Sequence, residues 1–335
     1  MSSNKPPGLS GSITKAGSRI ITSLSVDRLP SLRTLVESLK MDPKFIVVPA
    51  NSEEHSISLL HPFARGATSS IHLATLDRER QVVAKKFVDG EFSDEMRAEI
   101  FVHKRLNHPN IVKFIGYSEI PQCLLLEYLS YGDLASFLCN RPNEMYWQLL
   151  LAMALDSASG LSYLHQQHII HRDFKSGNLL VASLDPLSQP TIKLADFGES
   201  YISSSDYSAT NEDIRLGTIR YASPEVLSGS EHSEASDVFS FAVILWELFF
   251  RKTPYHEIKR NFCVQDAVIA GSRPSFDEIP CPPSFKILIT QCWDASPSER
   301  PNIDTVHQIL LDIQVSTRNQ HVSLPIAYSH LRGSH

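Results

Sequence analysis

The spacing of apolar residues changes period near residue 132, and the chain divides there into a strand-rich part and a helix-rich part. Between residues 56 and 88 the runs SISLL, SIHLAT and QVVAKKFV are β-type and are separated by the polar segments RGATS and LDRER. Short alternating runs between turn-forming clusters predict an antiparallel meander. A helix is expected next, with Ser93 as N-cap, Asp94 and Glu95 in its first turn and Lys104-Arg105 at its end. That order of charges suits the helix dipole. NHPNIVKFIGY and CLLLEYL read as two further strands. Beyond Gly132 the stretches WQLLLAMALDSASGLSYLHQQ and SDVFSFAVILWELFF carry the longer period of buried helices.

The first 55 residues are patterned differently. Residues 1–26 are rich in Ser, Gly and Pro without an apolar period and are expected to form a disordered tail. Leu32, Leu35, Val36 and Leu39 follow at i, i+3, i+4 and i+7. This stripe predicts a short amphipathic helix ending before Asp42-Pro43 and packing on the main domain, within a helix-and-linker segment spanning residues 27–55.

Composition narrows the class of protein. The 335 residues are 42% hydrophobic and 20% charged, which is the profile of a globular chain with material for a large core. A net charge of −6 argues against general attraction to nucleic acid or anionic lipid, so no nucleic-acid partner is expected. The longest apolar stretch, around residues 239–250, is interrupted by Glu247 and falls short of the roughly 20 residues of a membrane span. The five cysteines, Cys123, Cys139, Cys263, Cys281 and Cys292, show no zinc-site or CxxC spacing. Free thiols in a reducing, cytoplasmic setting are expected.

The candidate chemistry lies in two short segments. His171-Arg172-Asp173-Phe174-Lys175-Ser176-Gly177-Asn178 is followed at a fixed distance by Asp196-Phe197-Gly198. Phosphoryl transfer needs acids and lysines at such set separations, because it rests on holding the triphosphate, neutralising its charge and aligning the attacking hydroxyl. The two segments resemble the catalytic loop and metal-binding segment of protein kinases. By that resemblance Asp173 accepts the substrate proton, Asn178 and Asp196 hold magnesium, and Lys175 neutralises the γ-phosphate.

Further markers extend the resemblance over residues 56–313. Val83-Ala84-Lys85-Lys86 resembles the strand whose last lysine anchors the ATP phosphates, and that role falls to Lys86. Alternation then places Ala84 with Lys86 on one face, Ala84 roofing the adenine and Lys85 pointing outward. Glu99 stands where kinases carry the acidic partner of that lysine. Leu124-Leu125-Leu126-Glu127-Tyr128-Leu129 resembles the strand and hinge that carry adenine, with Leu126 controlling the back pocket and Glu127 and Leu129 in the hinge. Ile71 and Leu180 complete the adenine sandwich. The phosphate-covering loop, Phe63-Ala64-Arg65-Gly66-Ala67-Thr68-Ser69-Ser70-Ile71, keeps only the middle glycine of the usual Gly-x-Gly-x-x-Gly. Phe63, Ala64 and Gly66 are assigned to nucleotide binding on that basis.

In the helical part Gly217-Thr218 and Tyr221-Ala222-Ser223-Pro224-Glu225 resemble the end of an activation segment, with Ser223 for the usual alanine. The resemblance pairs Glu225 with Arg300, and has Asp237 tie the catalytic-loop backbone to the following helix. His103 replaces an apolar residue expected behind Phe197; a satisfied core histidine is the simpler reading, a pH switch the other.

These phrases are similar to the tyrosine-kinase-like group of serine/threonine kinases. The implied fold is α+β and bilobal, a small antiparallel-sheet lobe with one key helix (residues 56–129) joined to a larger, mainly helical lobe (130–313), followed by a C-terminal tail (314–335). The implied activity is transfer of the ATP γ-phosphate, with Mg2+, to serine or threonine of protein substrates in intracellular signalling. Lys175 and Thr218 favour serine/threonine. Dual-specificity or tyrosine kinase activity, or a pseudokinase scaffold suggested by the altered glycine loop, are the alternatives. Arg172 before Asp173 implies that an upstream kinase acts on the activation segment, where Ser203, Ser204, Ser205, Tyr207, Ser208 and Thr210 are available.

Overall fold

Three β-type runs between residues 57 and 87 build the first part of the molecule. In the computed structural model, which describes residues 29–50, 54–65, 69–87, 94–140, 145–202, 219–276 and 281–318, the strands β1 (Ile46–Val48), β2 (Ile57–Arg65), β3 (Ser69–Leu76), β4 (Arg80–Phe87), β5 (Phe114–Glu119) and β6 (Gln122–Glu127) form one sheet. Its order is β1-β5-β6-β4-β3-β2. Strands β2 to β6 pair antiparallel. Strand β1 pairs parallel with β5, an addition to the antiparallel sheet read from the sequence. Its short Ile-Val-Val run is below the length at which periodicity is legible, and it takes its partner from the sheet edge it covers.

The helix α1 (Leu32–Lys40) is capped by Ser31, whose hydroxyl accepts from the Thr34 amide, and buries Leu32, Leu35, Val36 and Leu39. These four share a core cluster with Met96 and Ile100 of α2 (Asp94–His103) and with Phe114, Tyr117 and Leu124 of the sheet. The expected N-cap of α2, Ser93, lies outside the described residues.

The second lobe is helical: α3 (Leu134–Asn140), α4 (Trp147–Gln166), α5 (Pro224–Leu227), α6 (Glu234–Phe250), α7 (Asn261–Ile269), α8 (Pro283–Cys292) and α9 (Ile303–Thr317). Helix α6 opens on a reciprocal Ser233–Ser236 capping box and is buried along almost its whole length, as its nearly unbroken apolar sequence requires. Two small ribbons, β7 (Ile169–Ile170) with β10 (Tyr201–Ile202) and β8 (Leu179–Val181) with β9 (Ile192–Leu194), carry the segments facing the first lobe. The loop after α2 is fastened to β9: Leu194 N donates to Asn110 O at 2.8 Å, Val112 N to Leu194 O at 2.9 Å, and Asn110 Nδ2 to Ile192 O at 3.0 Å. The base of α2 is therefore set by both lobes. No helix among the described residues is long and apolar enough to cross a membrane.

Candidate active site

Register within the sheet decides which lysine of β4 enters the cleft. Val83 pairs with Leu126 and Lys85 with Leu124, so these four share one face, while Ala84 pairs with Leu125 on the other. On the first face Val83, Phe87, Leu124 and Leu126 pack with α2; on the second Ala84 packs with Ala74, Val82, Cys123 and Leu125. The assignments of Lys86 and Ala84 are therefore corrected. Lys86 is exposed, Lys85 is buried in the cleft, and Val83, not Ala84, joins the apolar lining beside it. The two faces of VVAKKF differ by one large residue, Phe87, whose ring lies 5.6 Å from Lys85 Nζ. That aromatic selects the face turned to the larger core.

Lys85 Nζ donates to Glu99 Oε2 at 2.7 Å and to Asp196 Oδ1 at 2.8 Å. Burial alone would lower the ammonium pKa, but the Asp196 and Glu99 carboxylates outweigh it and hold Lys85 above the usual lysine range. For Asp196 burial would raise the carboxyl; Lys85, with His171 and Lys175 further off, holds it well below the usual range. One amine thus joins the sheet, helix α2 and the Asp196-Phe197-Gly198 segment.

The loop from His171 to Asn178 is built on α6. Asp237 Oδ2 accepts from the His171 amide at 2.8 Å, Asp237 Oδ1 from the Arg172 amide at 3.1 Å, and His165 Nε2 lies 3.0 Å from Oδ2. Burial acts to raise Asp237, but the His165 hydrogen bond and charge prevail and keep it below its ordinary value. These bonds hold Arg172 at φ 68°, a left-handed conformation unusual for a residue with a side chain. Beyond this turn Asp173 is buried; its Oδ2 accepts from Lys175 Nζ at 2.6 Å and from Asn178 Nδ2 at 3.0 Å, and Asn178 Nδ2 also reaches Asp173 O at 2.8 Å. Ala195 N donates to Asn178 O at 2.9 Å, which sets the Asp196 segment beside the loop.

Asn178, whose amide nitrogen is engaged by Asp173, keeps its side-chain oxygen, and Asp196 keeps a second carboxylate oxygen besides the one on Lys85. Oxygen donors of this kind, one from each residue, fit a hard divalent cation such as magnesium.

Ile71, Leu129, Leu180 and Ala195 are half-buried and pack against the cluster containing Val83 and Leu126, an apolar surface drawn from both lobes. Glu127 places its side chain elsewhere: its carboxylate accepts from Lys193 Nζ at 2.7 and 2.8 Å and from the Lys113 amide at 2.6 Å. It pins the end of β6 to β9 in the second lobe. Phe63 is exposed near the tip of β2, and Ala64 pairs with Ile71. Gly66 lies outside the described residues, as do Thr218 and the serine-rich run from Ser203 to Thr210.

His103 is buried, with its ring 4.7 Å from Phe197 and 5.4 Å from Phe114; Phe197 in turn is 5.7 Å from His171. The rings make a column from sheet to catalytic loop. His103 Nε2 bonds to Val112 O at 2.7 Å, and burial depresses its pKa to about 4, so it is a neutral core donor. At the far side Arg300 makes a two-pronged pair with Glu225, at 2.7 and 2.8 Å. Tyr221 Oη donates to Glu247 Oε2 at 2.8 Å and lies 2.9 Å from Ser176 Oγ. Sequence reading missed Lys193, Phe114 and this Tyr221–Glu247–Ser176 link, because each becomes functional through a partner remote in the chain. The signal for the last was Glu247 alone in the otherwise apolar stretch 241–250 of α6.

The chain was compared with known proteins. Residues 57–310 match the family described as protein tyrosine and serine/threonine kinase. Among curated relatives from Dictyostelium discoideum, the probable serine/threonine-protein kinase pats1 is 38% identical over 66% of this chain and 7% of its own length. The probable serine/threonine-protein kinase roco8 is 35% identical over 68% of this chain and 12% of its own. The probable serine/threonine-protein kinase drkA is 34% identical over 78% of this chain and 40% of its own. The chain thus spans well under half the length of these relatives. With the lysine–glutamate pair, the aspartate loop and the two-lobed α+β fold in place, the chain belongs to the protein tyrosine and serine/threonine kinase family.

Proposed function

We propose that this chain is the catalytic domain of a protein kinase that moves the γ-phosphate of ATP, with Mg2+, onto serine or threonine of protein substrates. The observation that carries the reading is Lys85 joined at once to Glu99 and Asp196 while Asp173 sits with Lys175 and Asn178 at the same cleft. All the charged groups of phosphoryl transfer are then assembled. Lys85 binds the inner phosphates and Lys175 the transferred group. Asp173, fixed by Asn178, orients the substrate hydroxyl and takes its proton. Asn178 and Asp196 would hold the metal, which supplies charge neutralisation to the phosphates. Ile71, Val83, Leu126, Leu129 and Leu180 offer an apolar slot for the base.

Arg172 supports regulation by phosphorylation. Its Nε and Nη1 are buried and have no hydrogen-bond partner among the described residues, a state that a phosphate on the activation segment would relieve. An upstream kinase is the corresponding partner. The five free thiols, none in a disulfide, agree with a cytoplasmic setting.

The test is transfer of labelled phosphate from ATP with magnesium to a generic protein, followed by phosphoamino-acid analysis. Label on serine and threonine that drops at least about 100-fold in Asp173→Asn is expected. Equal labelling by the wild-type chain and the folded variant would overturn it.

A further inference from the structure

The residues before the family match are connected to the helix that carries Glu99. Four side chains of α1 share a core cluster with Met96 and Ile100 of α2, the helix that carries Glu99. Two polar contacts run alongside: Lys104 Nζ donates to Ser38 Oγ at 2.6 Å, and Arg97 Nη2 to Leu29 O at 3.3 Å. Phe45, just before β1, packs its ring 5.3 Å from Phe114, the sheet end of the column that runs through His103 to Phe197.

Docking of this segment depends on one glycine. Ile46 lies opposite Gly116 in the parallel pairing of β1 with β5. A Cβ built on Gly116 would fall 1.7 Å from the Ile46 carbonyl oxygen, with backbone atoms Ile46 C and N within 3 Å. No side-chain adjustment relieves a contact made by backbone, so with any residue but glycine the backbones of β1 and β5 must separate. Gly116 thus acts as a socket for the extension, at a point where the pairing of β5 with β6 also shifts register between Phe114 and Gly116.

We propose that residues 29–48 are a positioning element for catalysis, a buttress built into the chain that holds α2, and with it Glu99, against Lys85. Helix α2 is tied to the sheet through the Lys85–Glu99 pair and to the loop beyond it through His103 and Val112 O, and side-chain packing of Met96 and Ile100 supports it on the other side. The extension supplies that packing on the side away from the cleft and stiffens the aromatic column from its upper end. Releasing it leaves the catalytic acids in place and loosens the Lys85–Glu99 pair. The inference rests on the kinase reading for its kinetic consequence only.

The experiment uses the full chain with Gly116→Ala, followed by hydrogen exchange and by steady-state phosphotransfer. Faster exchange is expected across residues 32–48 and, with it, across 96–103, while α4 and α6 keep their protection; kcat falls at least tenfold. If residues 32–48 are released but α2 exchange and kcat stay at wild-type values, the buttress is refuted. Should α4 and α6 also lose protection, the double variant Leu35→Ala/Leu39→Ala, which thins the α1 packing without changing any residue of the sheet, decides by the same pair of readouts. A chain without phosphotransfer would fail the kinase reading, and the coupled exchange of α1 and α2 would still decide the buttress.

Discussion

Lys85 and Glu99, fourteen residues apart, meet at 2.7 Å in a buried ion pair, whereas the adjacent Lys86 stands in solvent. Two lysines in a row are chemically alike in the sequence and opposite in consequence. Lys85→Met is expected to lower kcat at least about 100-fold, since it removes the phosphate anchor and leaves two carboxylates without their cation. Lys86→Met should stay within about twofold of wild type. Kinetics on the two purified variants separate the assignments, and the reverse ranking would return the anchoring role to Lys86.

His103 gives a pH signature in stability. Its folded pKa is depressed to about 4 by burial, below the ordinary histidine value, so protons bind the unfolded chain more readily. The associated stability is complete above about pH 6.5 and is lost as pH falls towards 4, on the order of 3 kcal/mol in full. His103→Leu, which keeps an apolar group against Phe197, should lack this loss. Urea denaturation of both proteins at pH 7 and pH 4.5 measures the difference, and kinase activity between pH 7 and 8.5 should show no inflection due to His103.

Glu247 titrates in the opposite sense. Burial raises its pKa to about 7, with hydrogen bonds from Ser176 and Tyr221 opposing the rise only in part. An acid whose folded pKa is raised contributes stability below its unfolded pKa, near 4.5, and that contribution disappears as pH climbs through 7. Glu247→Gln keeps an acceptor for Tyr221 and carries no charge. It should therefore be more stable than wild type at pH 8, by on the order of 3 kcal/mol, and equal to it below about pH 4.5. Denaturation midpoints across this range provide the comparison; a constant offset at all pH values would count against the assignment.

The Arg300–Glu225 pair holds α5 to the core of the helical lobe. Arg300 also donates from Nε to Asp294 O at 2.8 Å and from Nη1 to Ala235 O at 2.9 Å. Glu225→Ala leaves this buried guanidinium without its counter-charge and should destabilise the protein by about 3 kcal/mol. Adding Arg300→Met should recover part of the loss, because the stranded charge is then gone. A double variant as unstable as the sum of the single ones would show the two residues to act separately.

The sequence by itself determined the two-part order, a strand-rich part before a helix-rich one, and the motifs in which the candidate acids stand. His171 to Asn178 and Asp196 to Gly198 are local motifs, whose residues lie close enough in the chain for spacing to carry the chemistry. The stripe Leu32, Leu35, Val36 and Leu39 was legible for the same reason, being a repeat within one helix. What required the tertiary structure was every choice between two equivalent local alternatives. Strand alternation offers two faces, and only the pairing of Val83 with Leu126 and Lys85 with Leu124 turned Lys85 inward. The three-residue β1 has too short a pattern to announce itself, and its role comes from the bare edge at Gly116. Glu247 reads as a flaw in an apolar helix until Tyr221 and Ser176 are brought against it. Local periodicity fixes what an element is; which of its faces is buried, and against what, is set by contacts between residues far apart in the chain.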